Sequence, residues 1–275
     1  MSATVMTPDA ENDQARKSAQ MSRRRPSLLQ DTTTVFMREL RPVLHNPFSV
    51  VFSMIQPLVF LGLFGPLLSD FPGTGEGSAL QWFVPGIVVM SCLFSGAFTG
   101  SNLLFELQTG AHERMLVTPL RRSALLIGRA LKEIVPMVMQ TVIIVAVCLP
   151  FDFELHLAGT VIAVLILAVM TIGIGALSYA LALASKDQDW LFWTVQQTLL
   201  FPFLLLAGIL LPIDDGPGWL RTLADINPLT YVVDASRLLF NGEIASTAVL
   251  QGAGAAAFLA ALGLLVGIRS MRRSN

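Results

Sequence analysis

Along most of this chain the alternation that marks a soluble helix or strand is missing. Long apolar runs are separated by short charged segments instead. Six runs free of Asp, Glu, Lys, Arg and His are long enough, or nearly so, to cross a bilayer core, which needs ~20 residues. They cover about Ser49–Leu68, Val84–Phe105, Ile134–Leu149, Ala158–Ser185, Trp190–Leu211 and Ala245–Ile268. The third is short, and the pattern extends it back into the amphipathic residues before Ile134.

Three other stretches keep a helical period. In TTTVFMRELRPVLHNP, Phe36, Leu40, Val43 and Leu44 line one side and Arg38, Glu39, Arg41 and His45 the other, with Pro42 placed to bend the helix. Such a helix lies on a membrane interface. In AHERMLVTPLRRSALLIGRALKE, Pro119 disfavours helical geometry at Thr118. Thr118 can then cap a new helix with Pro119 at its first position. Leu120, Ala124, Ile127, Leu131 and Ile134 share one face of it, and Arg122, Arg129 and Glu133 another. The segment reads as a short helix, a break, and an elbow rising into the third span. In INPLTYVVDASRLLFNG, Asn227 can cap, Pro228 takes the first position, and Asn241-Gly242 ends the helix. Leu229, Val232, Val233, Leu239 and Phe240 form its apolar face. Asp234 and Arg237 on the other are spaced for an i,i+3 pair.

Composition supports the membrane reading. Charged residues are 13% and the mean hydropathy is +0.65, whereas soluble domains carry about a quarter charged residues. Residues 1–27 are polar, with a basic cluster, and read as a disordered tail; 28–275 read as one six-span domain. Lys and Arg set the orientation. Of the 18, only Arg221 and Arg237 fall in the loops after the first, third and fifth spans. All the others lie in the N-terminal segment, the loops after spans two and four, and the C-terminal tail. Both termini and the Glu113–Glu133 patch are therefore expected in the cytoplasm. The topology signal alone could account for that patch; its two-helix shape is what exceeds it.

Absences narrow the chemistry. No run contains an ionisable residue, so an ion-coupled carrier with intramembrane relays is disfavoured. No HExxH helix, paired carboxylate or nucleophile–base set marks a membrane hydrolase. No Walker A sequence occurs, so ATP is not bound through a P-loop of this chain. His45, His112 and His156 are scattered and read as surface histidines, and Cys92 and Cys148 as buried thiols. Gln56, Asn102, Gln140, Gln196 and Gln197 are the polar side chains of interest in the runs. They serve either as interhelical hydrogen-bond groups or as part of a substrate route. Ser91, Ser95 and Thr99, with Gly96 and Gly100 beside them, and Gly252, Ala256 and Ala260, recur at helical spacing and read as helix-contact faces.

With six spans, GAHERMLVTPLRRSALLIGRAL after the second and INPLTYVVDASRLLFNG before the last, residues 30–270 resemble the membrane subunits of the type 2 family of ATP-binding-cassette exporters. Within it they are similar to the daunorubicin-resistance-like drug-efflux permeases. The resemblance implies an all-α integral membrane protein of six transmembrane helices with both termini inside. It adds cytoplasmic amphipathic and coupling helices and an outer, re-entrant-type helix before the last span. Two such permeases, identical or related, assemble with two separate ATPase subunits in the bacterial cytoplasmic membrane. ATP and Mg sit on those subunits and no cofactor on this chain, which is not itself an enzyme. Its partners are the ATPase, the second permease and lipid, not nucleic acid. Gly110, Glu113 and Arg114 are implied to contact the ATPase, with Thr118 and Pro119 ending the coupling helix. Asn227, Pro228 and Tyr231 form the outer-helix motif. No motif transfers substrate residues. An apolar route with a few amides and aromatics suits a hydrophobic or amphipathic drug-like molecule, for which Gln56, Gln140, Gln197 and Phe201 are the candidates. Export of a lipid or polysaccharide, or facilitated diffusion without an ATPase, are the competing readings.

Overall fold

Every regular element among the described residues is a helix, as expected of a chain whose backbone polar groups must be satisfied without water. The computed structural model describes residues 28–45, 54–68, 79–109, 122–151, 153–186, 188–210, 213 and 216–273. In chain order the helices are α1 (Leu28–His45), α2 (Ile55–Leu68), α3 (Ala79–Gln108), α4 (Arg122–Lys132), α5 (Ile134–Cys148), α6 (Leu157–Ala184), α7 (Asp189–Leu206), α8 (Gly218–Ile226), α9 (Pro228–Phe240) and α10 (Thr247–Arg273). The expected tail, 1–27, lies outside the described residues.

Among the described residues, four helical stretches are long and apolar enough to cross a membrane: Ala79–Gln108, Ala124–Cys148, Leu157–Ala184 and Thr247–Arg273. They correspond to the second, third, fourth and sixth expected runs. The first is represented by the shorter apolar helix α2. The fifth, α7, has 18 residues, but Asp189, Gln196 and Gln197 dilute it and it is not among the four.

The third run does extend backwards. α4 and α5 are separated only by a turn residue, Glu133. Pro136 has no N–H to give the carbonyl four residues earlier. The Glu133 N–H tightens to the Ala130 carbonyl at 3.3 Å, and the helix resumes with Met137 N–H on the Glu133 carbonyl at 3.2 Å. Arg129, Lys132 and Glu133 thereby fall inside a continuous apolar stretch.

α6 is the centre of the bundle, with α10 and α3 packed along it, α9 against α10, and α1 against α4. Small residues allow these contacts. A Cβ at Gly263 would overlap the Gly173 carbonyl, and one at Gly100 would overlap the Ser178 carbonyl. Ser178 adds polar contacts at the same place, donating to the Ala97 carbonyl and accepting the Gly100 N–H at 3.0 Å. The core is continuous from Phe83, Ile87 and Phe240 at one end to Met137 and Met170, and a second cluster of Val35, Leu103, Leu126, Tyr179 and Phe192 closes the other. Large exposed apolar side chains such as Leu63, Val161, Leu165, Leu250, Phe258 and Leu265 remain on the outside, as a hydrocarbon solvent permits.

The glycine contacts generate a paired test. A Cβ at Gly254, on the same helix as Gly263, meets nothing within 4 Å. Gly263→Ala is expected to destabilise by ~1–3 kcal/mol through overpacking. Gly254→Ala should be neutral or stabilising by up to ~1 kcal/mol. Melting of the two purified variants in detergent gives the order; equal melting temperatures would refute the packing.

Candidate functional site

Two ends of the bundle carry polar networks, and a cavity sits near one of them. At the first end the charges of α4 are drawn inward. Arg129 is 3% exposed. Its Nη2 pairs with Glu106 at the end of α3, its Nε lies 3.3 Å from Glu39 of α1, and the guanidinium faces the Tyr179 ring of α6 at 5.8 Å. Lys132 Nζ lies 3.9 Å from Glu39 and 3.4 Å from Glu133, which is also buried.

This corrects the expected polar face. Arg129, Glu133 and Glu39 do not face water, because α1 packs on that side of α4 and carries a carboxylate to it. The side of α1 that is buried is Asp31, Thr32 and Val35, with a close approach at Gly128. Phe36, Leu40 and Val43 are only half-buried.

Next to this cluster lies a cavity of about 450 Å³. α3 gives it a wall of Ser91, Ser95, Thr99 and Asn102. Lys132 and Glu133 form its base. Gln140 of α5 and Gln56 of α2 enter from the other sides. Ser91 and Thr99 donate to the carbonyls of Ile87 and Ser95 at 2.8 and 3.0 Å, so they soften the wall without presenting charge. These small residues of α3 thus divide by role: Gly96 and Gly100 meet α6, while Ser91, Ser95 and Thr99 line the cavity.

At the second end, α9 starts where the sequence places it. The Asn227 side chain accepts the Leu229 N–H at 3.1 Å, and Pro228 occupies the first turn. Gly242, at φ +86°, ends the helix in a conformation that glycine adopts readily. The rest of the motif serves its neighbours. The last four carbonyls of a helix lack intrahelical partners. The Asn227 amide donates to Phe203 at 2.8 Å and the Thr230 hydroxyl to Leu206 at 3.2 Å, both at the end of α7. Thr230 also reaches the Ala224 carbonyl at 2.9 Å, and the Tyr231 hydroxyl the Asp225 carbonyl at 2.8 Å, both at the end of α8. The apolar face Leu229, Val232, Val233, Leu239 and Phe240 is buried.

Arg237 and Gln81 complete this end through contacts that carry no local sequence signal. Arg237 pairs with Asp234 at 3.8 Å, but it also donates to the Gly208 carbonyl at 2.7 Å and stacks over Trp82 at 3.8 Å. Gln81 of α3 accepts the Glu154 N–H at 3.0 Å and donates to the Glu154 and Phe240 carbonyls at 3.1 and 3.0 Å. His156 is half-buried rather than on the surface, with Nδ1 3.1 Å from the Phe240 carbonyl. The helix α8 is an addition to the expected elements; its short apolar face has too few turns to stand out in the sequence.

The expected site residues therefore separate. Gln56 and Gln140 share the cavity. Gln197 and Phe201 stand exposed on α7, away from it, and of the adjacent amides Gln196 and Gln197 the buried one is Gln196. Gly110, Glu113, Arg114, Thr118 and Pro119 lie outside the described residues.

Comparison with known proteins gives one family. The sequence model described as ABC-2 type transporter matches residues 30–241. The daunorubicin resistance ABC transporter permease protein DrrB1 of Streptomyces coeruleorubidus is 25% identical over 220 residues, which cover 79% of this chain and 77% of that protein. A protein named as the transport permease ycf38, of Cyanophora paradoxa, is 31% identical over 202 residues, 71% of this chain and 69% of that one. A protein named for doxorubicin resistance, the ABC transporter permease DrrC of Mycobacterium tuberculosis, is 23% identical over 192 residues, 69% of each chain.

Removing one partner from a buried ion pair costs ~3–5 kcal/mol, because the other charge is left behind. Arg129→Met is expected to lower stability by that amount. Adding Glu39→Gln and Glu106→Gln to it should recover part of the loss. Thermal melting of the purified variants decides; a neutral single variant would mean that the cluster is solvated.

Proposed function

Because this chain belongs to the ABC-2 type transporter family, we propose that it is the membrane subunit of an ATP-driven exporter. Its cargo is a hydrophobic or amphipathic drug-like compound, moved outward across a bacterial cytoplasmic membrane. The drug-resistance names of its relatives DrrB1 and DrrC support the cargo. In this reading residues 28–275 form six spans, with α2 and α7 supplying the first and fifth, both termini are inside, and 1–27 is a cytoplasmic tail. ATP and Mg act on a separate ATPase subunit, and two permeases assemble with it.

The observation that carries the route is the meeting of Gln56 and Gln140 in one cavity against the hydroxyl wall of α3. An apolar-to-polar cavity of this kind suits a molecule that is uncharged or weakly polar. Its base is the Lys132–Glu133 pair, and beyond that the Arg129 cluster ties α4 to α1 and α3. α4 follows in the chain from the segment around Glu113 and Arg114, where the ATPase is proposed to seat. A push on that segment would be felt by two walls of the cavity together. At the opposite end α9 closes the exit, holding the ends of α7 and α8. Gln197 and Phe201 face outward from α7, where the second permease would meet them.

Two outcomes are expected. Glu113→Ala with Arg114→Ala should leave the permease inserted and abundant but abolish association with the ATPase and substrate-stimulated hydrolysis. Normal export by the double variant, or export by this chain in a host without the ATPase, would refute the coupling. Asn227→Ala removes a cap that contributes ~0.5–2 kcal/mol, together with the Phe203 contact. Export should fall more than abundance does, as read by drug accumulation in cells against immunoblotted permease. A parallel fall in both would make α9 only a folding element.

A further inference from the structure

Most buried hydroxyls of the bundle are satisfied by their own helix. Thr141, Thr171 and Ser236 donate to carbonyls four residues earlier at 3.0, 2.8 and 2.7 Å. Gln196 is different. It is 6% exposed, at the middle of α7, and neither Oε1 nor Nε2 has a hydrogen-bond partner among the described residues. It lines a second cavity, of about 300 Å³, on the side of α3 opposite the polar one. The walls are Leu93, Ala97, Ile174, Leu200, Phe203 and Leu229. Ser178 also borders it, but its hydroxyl is engaged with Ala97 and Gly100.

A primary amide presents a donor and an acceptor side by side. Leaving both unmet in apolar surroundings is unfavourable, and Leu would fill the same volume without that cost. Water is a poor occupant, since a buried water needs two to four polar partners and here Gln196 would be the main one. A charged occupant would find no counter-charge in these walls. Leu199, exposed at the rim, marks a route in from the hydrocarbon side of α7.

We propose that this cavity is a binding site for an uncharged, largely apolar molecule with an adjacent donor and acceptor, of the lactam or carboxamide type. Gln196 is its specificity-determining contact, through a two-point hydrogen-bonded pair. The site deepens the exporter reading and rests on it for the identity of the ligand as cargo. Binding to the permease alone is measured without the ATPase, so failure of the site and failure of the exporter reading give different results.

The experiment uses the full chain in lipid nanodiscs and three fluorescent probes of similar size: 2-quinolone, which is a cis-lactam, 1-methyl-2-quinolone, which lacks the donor, and naphthalene, which lacks both. The wild-type chain should bind 2-quinolone saturably and about tenfold or more tighter than its methylated form, the ratio that hydrogen bonding of ~1.4 kcal/mol gives. Gln196→Leu should remove that preference while leaving naphthalene binding and the melting temperature no lower. Leu199→Trp, at the rim, should weaken all three probes. Equal affinity of the wild-type chain for the lactam and its methylated form would overturn the proposal without recourse to any variant. So would saturable lactam binding unchanged in Gln196→Leu, or no saturable binding of any probe above protein-free discs.

Discussion

Inside a bilayer there is no water to complete a hydrogen bond, so a buried polar group left unmet is costly and most are met by the chain itself, Gln196 being an exception. The arrangement of this protein follows from that constraint. Asn227, Thr230 and Arg237 donate to the carbonyls of Phe203, Leu206 and Gly208 at and just after the end of α7, so a short helix with a polar N-terminal turn is folded against that end. The guanidinium of Arg129, within a stretch long enough to span, is met by carboxylates from two other helices. Neither network adds much net stability over an apolar packing of the same shape. What they fix is which helices must stay together.

That distinction bears on motion. A purely apolar contact can slide, because one hydrocarbon surface is much like another. A buried ion pair cannot separate without exposing a charge. Ion pairs therefore tie α1, the end of α3 and α4 together at one end of the bundle, while hydrogen bonds tie α7, α8 and α9 at the other. Between them the α3–α6–α10 centre is held by close glycine contacts, where even a methyl group is excluded.

α3 also separates two chemically different spaces. Its hydroxyl side borders the cavity of Gln56 and Gln140, and its Leu93–Ala97 side borders the apolar cavity of Gln196. An amphipathic molecule has groups suited to each.

Several features are legible in the sequence. Apolar runs are set by composition, so the four stretches that can span are marked by residue type alone. The limits of α9 are also legible. Asn at a cap, Pro in the first turn and Gly after the last act on their own backbone, whatever surrounds them. Helix rotation and partner choice are not legible. A run apolar on every side has no periodicity to tell which face is inside, so the sequence favours Gln197 where the fold buries Gln196, its neighbour about 100° away around α7. The face of Arg129 and Glu133 looks solvent-facing because amphipathic periodicity assumes water beyond it. α1, some ninety residues earlier, supplies Glu39 in its place. Pairing of distant charges is decided by packing, and only the tertiary structure holds that information.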